Sequence, residues 1–419
     1  MKSIVIAGFG SRGQMFAKII RNLNDAKLVA IAEPEERSRL RAHNEFNVPQ
    51  EKCYKDADEL FSQGKIADAA FICSQDAQHK DMAIKALKLG YDILLEKPAA
   101  ASIEDCIEIR DTANALGRKV MLTHVMRYSP FYRYIKKLIV DGKLGEIVNI
   151  EQTENVAYWH FAHSYVRGPW GNMAKSTPTI IAKCCHDLDL IVWLMNKRCT
   201  SVSSVGSLYW FKSKNAPEGS TEYCCDCPKR VKDKCMYNAY KVYTETVEKA
   251  VVGGTARLQG KEICELFDKK IDPLGKCVYH SDNDAIDNQI VNMVFEDGAL
   301  ANLNMIAFTR DCYRKTHVHG TLGDVYGNSE DGLLYVNIYG EGEHVVDVNN
   351  DTSLNTDGIT LGGGHGGGDY YLYKDFMDYI TNESPSQMRT TIDQSIESHV
   401  IGFKAEESRL NGGMPIKLD

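Results

Sequence analysis

Residues 3–20 read SIVIAGFGSRGQMFAKII and decide the fold of the first part of the chain. The apolar run at residues 3–7 is typical of a strand that is buried on both faces. A turn with the spacing GxGxxG follows, and apolar residues then recur at helical spacing over residues 14–22. Strand, glycine turn and helix together predict the first unit of a doubly wound parallel sheet.

The three glycines of this turn suit the binding of a dinucleotide. Gly8 permits a tight turn, Gly10 lets the backbone approach a pyrophosphate, and Gly13 allows the helix to pack closely. The phosphates would rest on the helix N-terminus, beside Ser11 and Arg12. A glycine turn can also serve a sheet that binds nothing, so it is the flanking strand and helix that favour a binding site.

An acidic residue stands where a ribose-binding group is expected. A second apolar run, residues 27–32, ends at Glu33, about twenty residues after Gly13. A carboxylate there would accept hydrogen bonds from a ribose diol and repel a 2′-phosphate. The sequence therefore predicts NAD in preference to NADP, a preference that the neighbouring Arg37 weakens.

The first third of the chain alternates apolar runs with helical patterns, as a parallel sheet covered by helices does. The pattern predicts strands that end at Cys73 and Leu95, helices over residues 79–89 and 103–116, and a last strand at residues 120–123. In such sheets ligands bind beyond the carboxyl ends of the strands. The segments that begin at Ser74 and at Glu96 therefore fall on the predicted cofactor face.

Length and composition predict a two-domain protein. The 419 residues exceed the size at which one core usually stops growing. A net charge of -8, with both signs interspersed, argues against a nucleic-acid partner and supplies no basic patch for a membrane. No apolar run has the length of a membrane span, and the N-terminus is unlike a signal peptide. We expect a cytoplasmic protein whose 13 cysteines are mostly reduced.

Several of these motifs together resemble the glucose-fructose oxidoreductase, inositol dehydrogenase and MocA family (Gfo/Idh/MocA). They are the glycine turn, residues 74–79, the Glu96-Lys97-Pro98 segment, residues 127–130, His186 with Asp189 three residues later, and the stretch HGTLG at residues 319–323. The resemblance covers nearly the whole chain and is strongest up to about residue 195. It implies cofactor contacts from Ser74, Gln75, His79, Glu96 and Lys97, and substrate contacts from Arg127 and Tyr128.

The resemblance also implies the domain organisation. Residues 1–123 would form an α/β NAD-binding Rossmann domain, and residues 124–419 an α+β domain with an open, mostly antiparallel sheet. In the family this second domain carries the substrate face and often builds oligomers, here a homodimer or a homotetramer. The sequence agrees, since it predicts strands at residues 147–157, 202–211, 289–295, 299–308 and 333–339.

Oxidation of a hydroxyl group requires a base near the nicotinamide, because hydride leaves easily only when the proton also leaves. Lys97 is the first candidate, since a lysine at a strand end, followed by Pro98, can lean over the cofactor. A partly desolvated ammonium also titrates nearer neutrality than a free one. A surface lysine in a turn is the alternative, and the resemblance, which implies contact with cofactor or substrate, favours catalysis.

Residues 179–194 have the apolar spacing of a buried helix. Lys183 and His186 are three residues apart and therefore share a face, so a cationic Lys183 could hold His186 neutral and ready to accept a proton. Many members of the resembled family have an aspartate four residues before this histidine, where the chain has Ala182. The sequence leaves open whether Lys183 or Asp187 takes the polar role.

Residues 158–170 read YWHFAHSYVRGPW, a predicted loop rich in aromatic and hydrogen-bonding side chains. Aromatic faces stack on sugar rings, while histidine and arginine reach hydroxyls or a carboxylate. An aromatic plug between the domains is the alternative. The predicted substrate contacts from this segment are His160, His163, Tyr165, Arg167 and Trp170.

A glycine-rich stretch at residues 362–369 surrounds His365. It is either a loop that caps the site and brings His365 to the substrate, or a flexible connector to a helix predicted at residues 370–380.

A group of cysteines lies in a polar insertion at about residues 212–262. Cys224, Cys227 and Cys235 provide a Cys-x2-Cys pair and a third thiol, which suit a structural zinc site. A second Cys-x2-Cys pair is absent, so reduced surface thiols are the alternative. The candidates for a fourth ligand are Cys225, Cys264, Cys277 and His280.

These observations predict an NAD-dependent oxidoreductase that acts on a hydroxyl of a sugar, cyclitol or sugar acid, with Lys97 and His186 handling the proton. The alternative is a glycoside-cleaving enzyme, in which NAD transiently oxidises a ring hydroxyl, acidifies the neighbouring carbon and permits elimination of the aglycone. A third interpretation, a sugar-sensing regulator, is disfavoured because both Lys97 and His186 are present.

Overall fold

A computed structural model describes residues 1–246, 261–270, 273–350, 367–382 and 384–418. Its first part is a six-stranded parallel sheet with helices on both faces, in the strand order β3-β2-β1-β4-β5-β6. This order confirms the predicted doubly wound sheet. Its elements are β1 (Lys2–Ala7), α1 (Ser11–Leu23), β2 (Ala26–Ala32), α2 (Glu36–Phe46), β3 (Cys53–Tyr54), α3 (Ala57–Ser62), β4 (Ala69–Ile72), α4 (His79–Lys88), β5 (Asp92–Leu95), α5 (Ile103–Leu116) and β6 (Val120–Leu122).

The second part is built on a nine-stranded sheet in the order β14-β13-β12-β11-β7-β10-β9-β8-β15, in which only β7 and β10 run parallel. This confirms the predicted α+β class with a mostly antiparallel sheet. Its elements are α6 (Pro130–Val140), β7 (Ile147–Ala157), α7 (Tyr158–Phe161), α8 (Thr179–Met195), β8 (Cys199–Ser207), α9 (Lys229–Lys232), α10 (Ala239–Lys241), α11 (Lys261–Asp268), β9 (Asn288–Phe295), β10 (Leu300–Thr309), β11 (Tyr313–Gly320), β12 (Gly323–Asn328), β13 (Leu333–Ile338), β14 (Gly342–Asp347), α12 (Gly368–Thr381), α13 (Ile392–Leu410) and β15 (Ile416–Lys417).

One face of the second sheet is covered and the other is open. Side chains alternate along β9, so that Val291 and Met293 are buried while Ile290 and Val294 are exposed. Helix α8 packs on β7 and β10, and α13 packs on α8 and β8. The core of the second part therefore lies between these two helices and the inner face of the sheet.

The last two helices join the two parts. Helix α12 follows the second sheet in the chain but packs on the first, where Phe376 and Tyr373 meet the ring of Phe71. Helix α13 contacts α5 and β6 of the first part as well as α8 and β8 of the second. These contacts hold the carboxyl ends of the first sheet opposite the beginning of α8.

Most strand predictions hold to within a few residues, and two segments differ. The strand predicted at residues 202–211 is β8, which starts at Cys199 and ends at Ser207. The chain turns away after β8 because the Asp287 carboxylate accepts the backbone N–H groups of Tyr209 and Trp210 at 2.8 and 2.7 Å. Residues 158–167, predicted as a loop, form α7 and a π-helical turn at Ala162–Arg167. Among the described residues, the helices include none that combines the length and apolarity of a membrane span.

Candidate active site

A cavity of about 630 Å³ lies where the carboxyl ends of β1, β2, β4 and β5 face α8 and the end of β7. Most of the predicted cofactor residues and the three predicted catalytic residues line this one cavity. Because it holds both sets of residues, it is the candidate active site. Its lining includes Gly8, Gly10, Ser11, Arg12, Glu33, Ser74, Gln75, Glu96, Lys97, His160, Tyr165, Trp170, Lys183 and His186.

The glycine turn is shaped by close backbone contacts. Gly8 has φ +92, and a Cβ there would lie 2.5 Å from the carbonyl oxygen of Cys73, which directly follows the neighbouring strand β4. A Cβ on Gly13 would lie 2.2 Å from the carbonyl oxygen of Gly8, so only glycine lets α1 begin this close to β1. Gly10 is the N-cap of α1 and provides no side-chain cap. The first N–H groups of α1 can therefore bind a phosphate, as a dinucleotide site requires.

Glu33 directly follows β2 and lines the cavity, in the position predicted for a ribose-binding acid. Its carboxylate is held by two backbone donors, the N–H of Phe9 at 2.8 Å and the N–H of Glu35 at 3.1 Å. Burial raises the pKa of Glu33, while these hydrogen bonds oppose the rise. Each carboxylate oxygen has a second lone pair, which a ribose hydroxyl can use.

The loops after β4 and β5 supply further polar groups. The Ser74 hydroxyl is buried and has no partner among the described residues, so a bound cofactor would satisfy it. His79 is fully buried behind the loops, where its ring nitrogens contact the carbonyl oxygens of Pro98 at 2.7 Å and Ser74 at 3.1 Å. His79 therefore supports the two cofactor loops without lining the cavity.

Arg12 is a fixed cation at the start of α1. Its guanidinium contacts Glu96 at 2.5 Å and Asp369 at 2.8 Å. Burial lowers the pKa of Arg12, but the two carboxylates outweigh burial and raise it overall. Glu96 also accepts a hydrogen bond from the hydroxyl of Thr123 at 2.8 Å. Arg12 thus stays charged beside the helix terminus where phosphates are expected.

Lys97 and His186 come together through α8. The Lys97 ammonium donates to the carbonyl oxygen of Ala182 at 2.9 Å, four residues before His186 on the same helix. The ring of His186 meets the ring of His124 edge to face, with centroids 5.6 Å apart. Burial lowers the pKa of His124 to about 3, so His124 is a neutral neighbour at physiological pH. The backbone of α8 therefore fixes the lysine and the histidine in one wall of the cavity.

Lys183 belongs to a buried ionic network between α8, β7 and β11. Its ammonium contacts Glu154 at 2.7 Å, and Arg314 contacts the same carboxylate at 2.9 Å. Arg314 also binds Asp187 at 2.9 Å, and the Gln152 amide donates to Asp187 at 2.8 Å. Burial lowers the pKa of Lys183, but Glu154 more than offsets this and raises it overall. Lys183 is therefore a cation that lines the cavity, whereas Asp187 lies beneath it.

The aromatic segment divides between two environments. His160, Tyr165 and Trp170 line the cavity, and the Trp170 indole donates to Asp76 at 3.1 Å. His163 faces the insertion instead, where its Nδ1 contacts the Tyr243 hydroxyl at 2.8 Å. Arg167 likewise points into the insertion. A helical segment presents successive residues on different faces, so not all polar side chains of this stretch reach one site.

Arg127 and Tyr128 lie outside the cavity. Arg127 is 3% exposed and forms a two-point ion pair with Asp189, at 2.6 and 2.7 Å. The Tyr128 hydroxyl donates to Asp375 at 2.7 Å. Both residues hold the joint between the two parts of the chain. His365 lies outside the described residues.

Several cavity residues were not predicted, and Arg314 is the most important. It is the second residue of β11 and shares its inward face with Thr316 and Val318, which are buried. Strand alternation around the two histidines of β11 could have identified it as inward-facing. Its partner Glu154 lies directly opposite on β7. Ser164 and Thr123 also line the cavity, as does Asp76 of the segment that the sequence predicted on the cofactor face.

The candidate metal ligands lie away from the cavity. Cys224, Cys227 and Cys235 meet around a small internal space in the insertion. A different group, Glu151 with His317 and His319, lies on the open face of the second sheet, with its ligand atoms within 4.8 Å of one another. Neither group contributes to the candidate active site.

Comparison with known proteins places both parts of the chain in one family. Residues 2–124 match the GFO_IDH_MocA model, "Oxidoreductase family, NAD-binding Rossmann fold", and residues 136–418 match its "C-terminal alpha/beta domain". The chain belongs to the Gfo/Idh/MocA oxidoreductase family. The family resemblance inferred from the sequence is thereby confirmed, and the first part of the chain is an NAD-binding Rossmann domain.

Individual relatives are distant. The chain is 24% identical to the YteT protein of Bacillus subtilis (strain 168), over 90% of this chain and 89% of YteT. It is 27% identical to a 2,7-anhydro-N-acetylneuraminate hydratase of Mediterraneibacter gnavus, over 49% of this chain and 53% of that protein. A levoglucosan dehydrogenase in complex with NADH and levoglucosan shares the fold, with a TM-score of 0.73 at 16% identity over 100% of this chain and 99% of that one.

Proposed function

We propose that this Gfo/Idh/MocA oxidoreductase is an NAD-dependent dehydrogenase that oxidises a secondary hydroxyl of a sugar, cyclitol or sugar acid. The observation that carries the proposal is that Lys97 and His186 line the same cavity as the glycine turn and Glu33. When bound, NAD supplies the acceptor for the hydride that leaves the substrate carbon. The levoglucosan dehydrogenase that shares this fold acts on a carbohydrate and supports the substrate class.

The protein supplies the proton chemistry. The Lys97 ammonium, oriented by the carbonyl oxygen of Ala182, donates a hydrogen bond to the substrate oxygen and stabilises negative charge as it develops. The imidazole of His186 accepts the hydroxyl proton. Lys183 and Arg314 line the same wall, where they can donate hydrogen bonds to further oxygen atoms of the substrate. Lys183 acts as a cation in this scheme because Glu154 holds it protonated.

The rest of the cavity suits a polyhydroxylated ring. Tyr165 and Trp170 offer aromatic surface to the apolar face of a sugar, while His160 offers a hydrogen-bonding edge. Burial, together with the nearby Lys183, lowers the pKa of His160 well below its ordinary value. A neutral His160 can accept or donate a hydrogen bond to a hydroxyl. Lys183 and Arg314 at the same wall would also receive a sugar carboxylate.

A glycoside-cleaving or hydrating reaction is the second candidate. The similarity to a 2,7-anhydro-N-acetylneuraminate hydratase, a protein whose named reaction yields no net oxidation, favours it. In that case bound NAD would supply a temporary acceptor for the hydride of the ring carbon that bears the hydroxyl, with no net oxidation. The same residues would serve the oxidation step of that reaction, because His186 would still accept the hydroxyl proton and Lys97 would still stabilise the oxygen.

One assay distinguishes the two reactions. Purified protein is supplied with NAD and a panel of free sugars, sugar acids, cyclitols and aryl glycosides, and NADH absorbance and aglycone release are followed together. NADH formed in proportion to substrate supports the dehydrogenase. Aglycone release without accumulated NADH supports the elimination reaction. Failure of NAD to bind, measured by calorimetry, would overturn both.

We also propose that the open face of the second sheet binds a second copy of the chain, giving a homodimer or homotetramer. This face carries exposed apolar side chains, which favour association. Light scattering of the purified chain tests this, and a monomer at micromolar concentration would contradict it. The apolar residues of this face include Ile290 and Val294 of β9 and Leu300 of β10.

A further inference from the structure

Three cysteines of the insertion and Cys277 line one small space of about 10 Å³. Cys224 and Cys227 flank a short helical turn, Cys235 follows α9, and Cys277 arrives from a later stretch of the chain. A β-bridge between Tyr223 and Lys276 brings that stretch beside the first pair. We propose that these four thiols form a structural zinc site that holds the insertion against the catalytic cavity.

The structure selects the fourth ligand from the alternatives that the sequence left open. The Cys225 thiol turns to the carboxylate of its neighbour Asp226. Cys264 packs against the small core of the insertion but does not line this space, and the Nε2 atom of His280 contacts the Ser220 hydroxyl at 3.0 Å. Cys277 alone of the four candidates lines the same space as the Cys-x2-Cys pair. Four cysteines at one centre are the usual donor set of a structural zinc ion.

Arg167 points to a negative charge at this place. It is 4% exposed and lines the same space, where its Nη2 atom donates to the Tyr237 carbonyl oxygen and lies 3.8 Å from the Cys224 sulfur. Its Nη1 atom is buried and has no hydrogen-bond partner among the described residues. Four neutral thiols leave this cation uncompensated, whereas a zinc ion with four thiolates carries a net charge of about -2. Arg167 would then offset part of that charge.

Thr221 supplies the kind of support that metal-bound sulfur receives. Its backbone N–H donates to the Cys227 sulfur at 3.4 Å, while its hydroxyl donates to the Tyr223 carbonyl oxygen at 2.7 Å. Hydrogen bonds of this kind orient a ligand and stabilise its charged form. They would be of little use to a neutral thiol, which is a weak acceptor.

Metal binding has to draw the sulfurs together. Among the residues that the structure describes, three potential metal ligands from His, Cys, Asp or Glu side chains come within 4.8 Å of one another only at Glu151, His317 and His319. The sulfurs of the four cysteines are therefore farther apart than in a zinc-bound site. At Zn–S distances of about 2.3 Å, the four sulfurs would stand roughly 3.8 Å apart. The four side chains already line one space, and metal binding would bring their sulfurs together across it.

A zinc site would stabilise the insertion, because the hydrophobic core of the insertion is small. That core is a cluster of six buried residues, separate from the main cores. Small cores of this size are usually supplemented by a metal or by disulfides. Arg167 ends the π-helical turn that also carries Ser164 and Tyr165 to the cavity. The zinc site would therefore fix one wall of the cavity, and it does not depend on which substrate is oxidised. The six residues are Cys224, Ala239, Val242, Tyr243, Phe267 and Leu274.

The test is the metal content of the full-length protein, purified under reducing conditions and freed of loosely bound metal by a weak chelator. We expect about one zinc ion per chain by plasma mass spectrometry. Cys277→Ser and Cys235→Ser should each lower this at least fivefold. Cys225→Ser, an adjacent cysteine outside the cluster, should retain it, as should His317→Ala on the open sheet face.

A second measurement keeps the test decisive if the serine variants fail to fold. Titration of the wild-type protein with a thiol reagent, in the presence of a chromogenic zinc indicator, should release one zinc as the four clustered thiols react. The assignment would be overturned by a purified protein without zinc, or by zinc that is lost in His317→Ala but retained in Cys277→Ser. It would also be overturned by an iron–sulfur absorbance band with matching iron content, or by a disulfide among the four cysteines.

Discussion

Replacing Glu154 by glutamine removes the charge that neutralises both Lys183 and Arg314. Glu154 is 1% exposed, and its carboxylate lies 2.7 Å from the Lys183 ammonium and 2.9 Å from the Arg314 guanidinium. At an effective dielectric constant of 20, each contact corresponds to roughly 6 kcal/mol of attraction. Desolvation offsets much of this, and loss of one member of a buried ion pair typically costs about 3–5 kcal/mol.

We therefore expect Glu154→Gln to lower the free energy of unfolding by about 3–5 kcal/mol, measured by urea titration with tryptophan fluorescence. Glu151→Gln is the matched control, because Glu151 lies on the same strand but faces solvent, and it should change stability by under about 0.5 kcal/mol. Adding Lys183→Met to Glu154→Gln removes one unpaired cation and should recover part of the loss. An unchanged unfolding curve for Glu154→Gln, or a double variant less stable than the single one, would refute this account of the network.

Three further outcomes follow from the same structure. Glu33→Ala should raise the affinity for NADP relative to NAD at least tenfold in fluorescence titrations, because the carboxylate that repels a 2′-phosphate is gone; an unchanged ratio would remove Glu33 from the ribose site. Gly13→Ala should weaken NADH binding at least tenfold in the same titration, since its Cβ would lie 2.2 Å from the Gly8 carbonyl oxygen; wild-type affinity would contradict the close packing of the turn. Burial lowers the pKa of His124 from 6.5 to about 3, so its contribution to stability is complete above about pH 6.5 and is lost as the pH falls towards 3, by up to about 1.4 kcal/mol per pH unit. His124→Phe should flatten the fall in urea midpoint between pH 6.5 and 4.5, and an equally steep fall would show that other groups cause it.

Local sequence signals predicted the first part of the chain well. The glycine turn, the alternating apolar runs and the caps act over a few residues, so they can be read without knowledge of the distant chain. Helix α5 illustrates this, because it begins at the Ser102 N-cap and ends at Gly117 in the left-handed conformation. Strand β7 has the predicted bounds for the same reason, since its residues suit a strand along their whole length.

Long-range pairing decided what the sequence could not. Glu154 and Arg314 are adjacent only because β7 and β11 are neighbours in the second sheet. This pairing also decides which polar residue of α8 faces the cavity. Arg314 binds Asp187 beneath the cavity surface, whereas Lys183 lines the cavity. The choice of Cys277 over nearer cysteines likewise depends on a bridge between distant segments. Residue type alone also did not reveal that Arg127, predicted as a substrate contact, forms an ion pair with Asp189.

The role of Lys97 is the central claim, and it can be tested once an oxidised substrate is known. We would measure kcat from NADH absorbance for the wild type, Lys97→Ala and Lys55→Ala, an exposed lysine outside the cavity, and NADH affinity by fluorescence for all three. Loss of charge stabilisation at the reacting oxygen should lower the kcat of Lys97→Ala at least a hundredfold, with NADH affinity within about fivefold of wild type. Turnover of Lys97→Ala equal to that of Lys55→Ala would contradict the proposed chemistry.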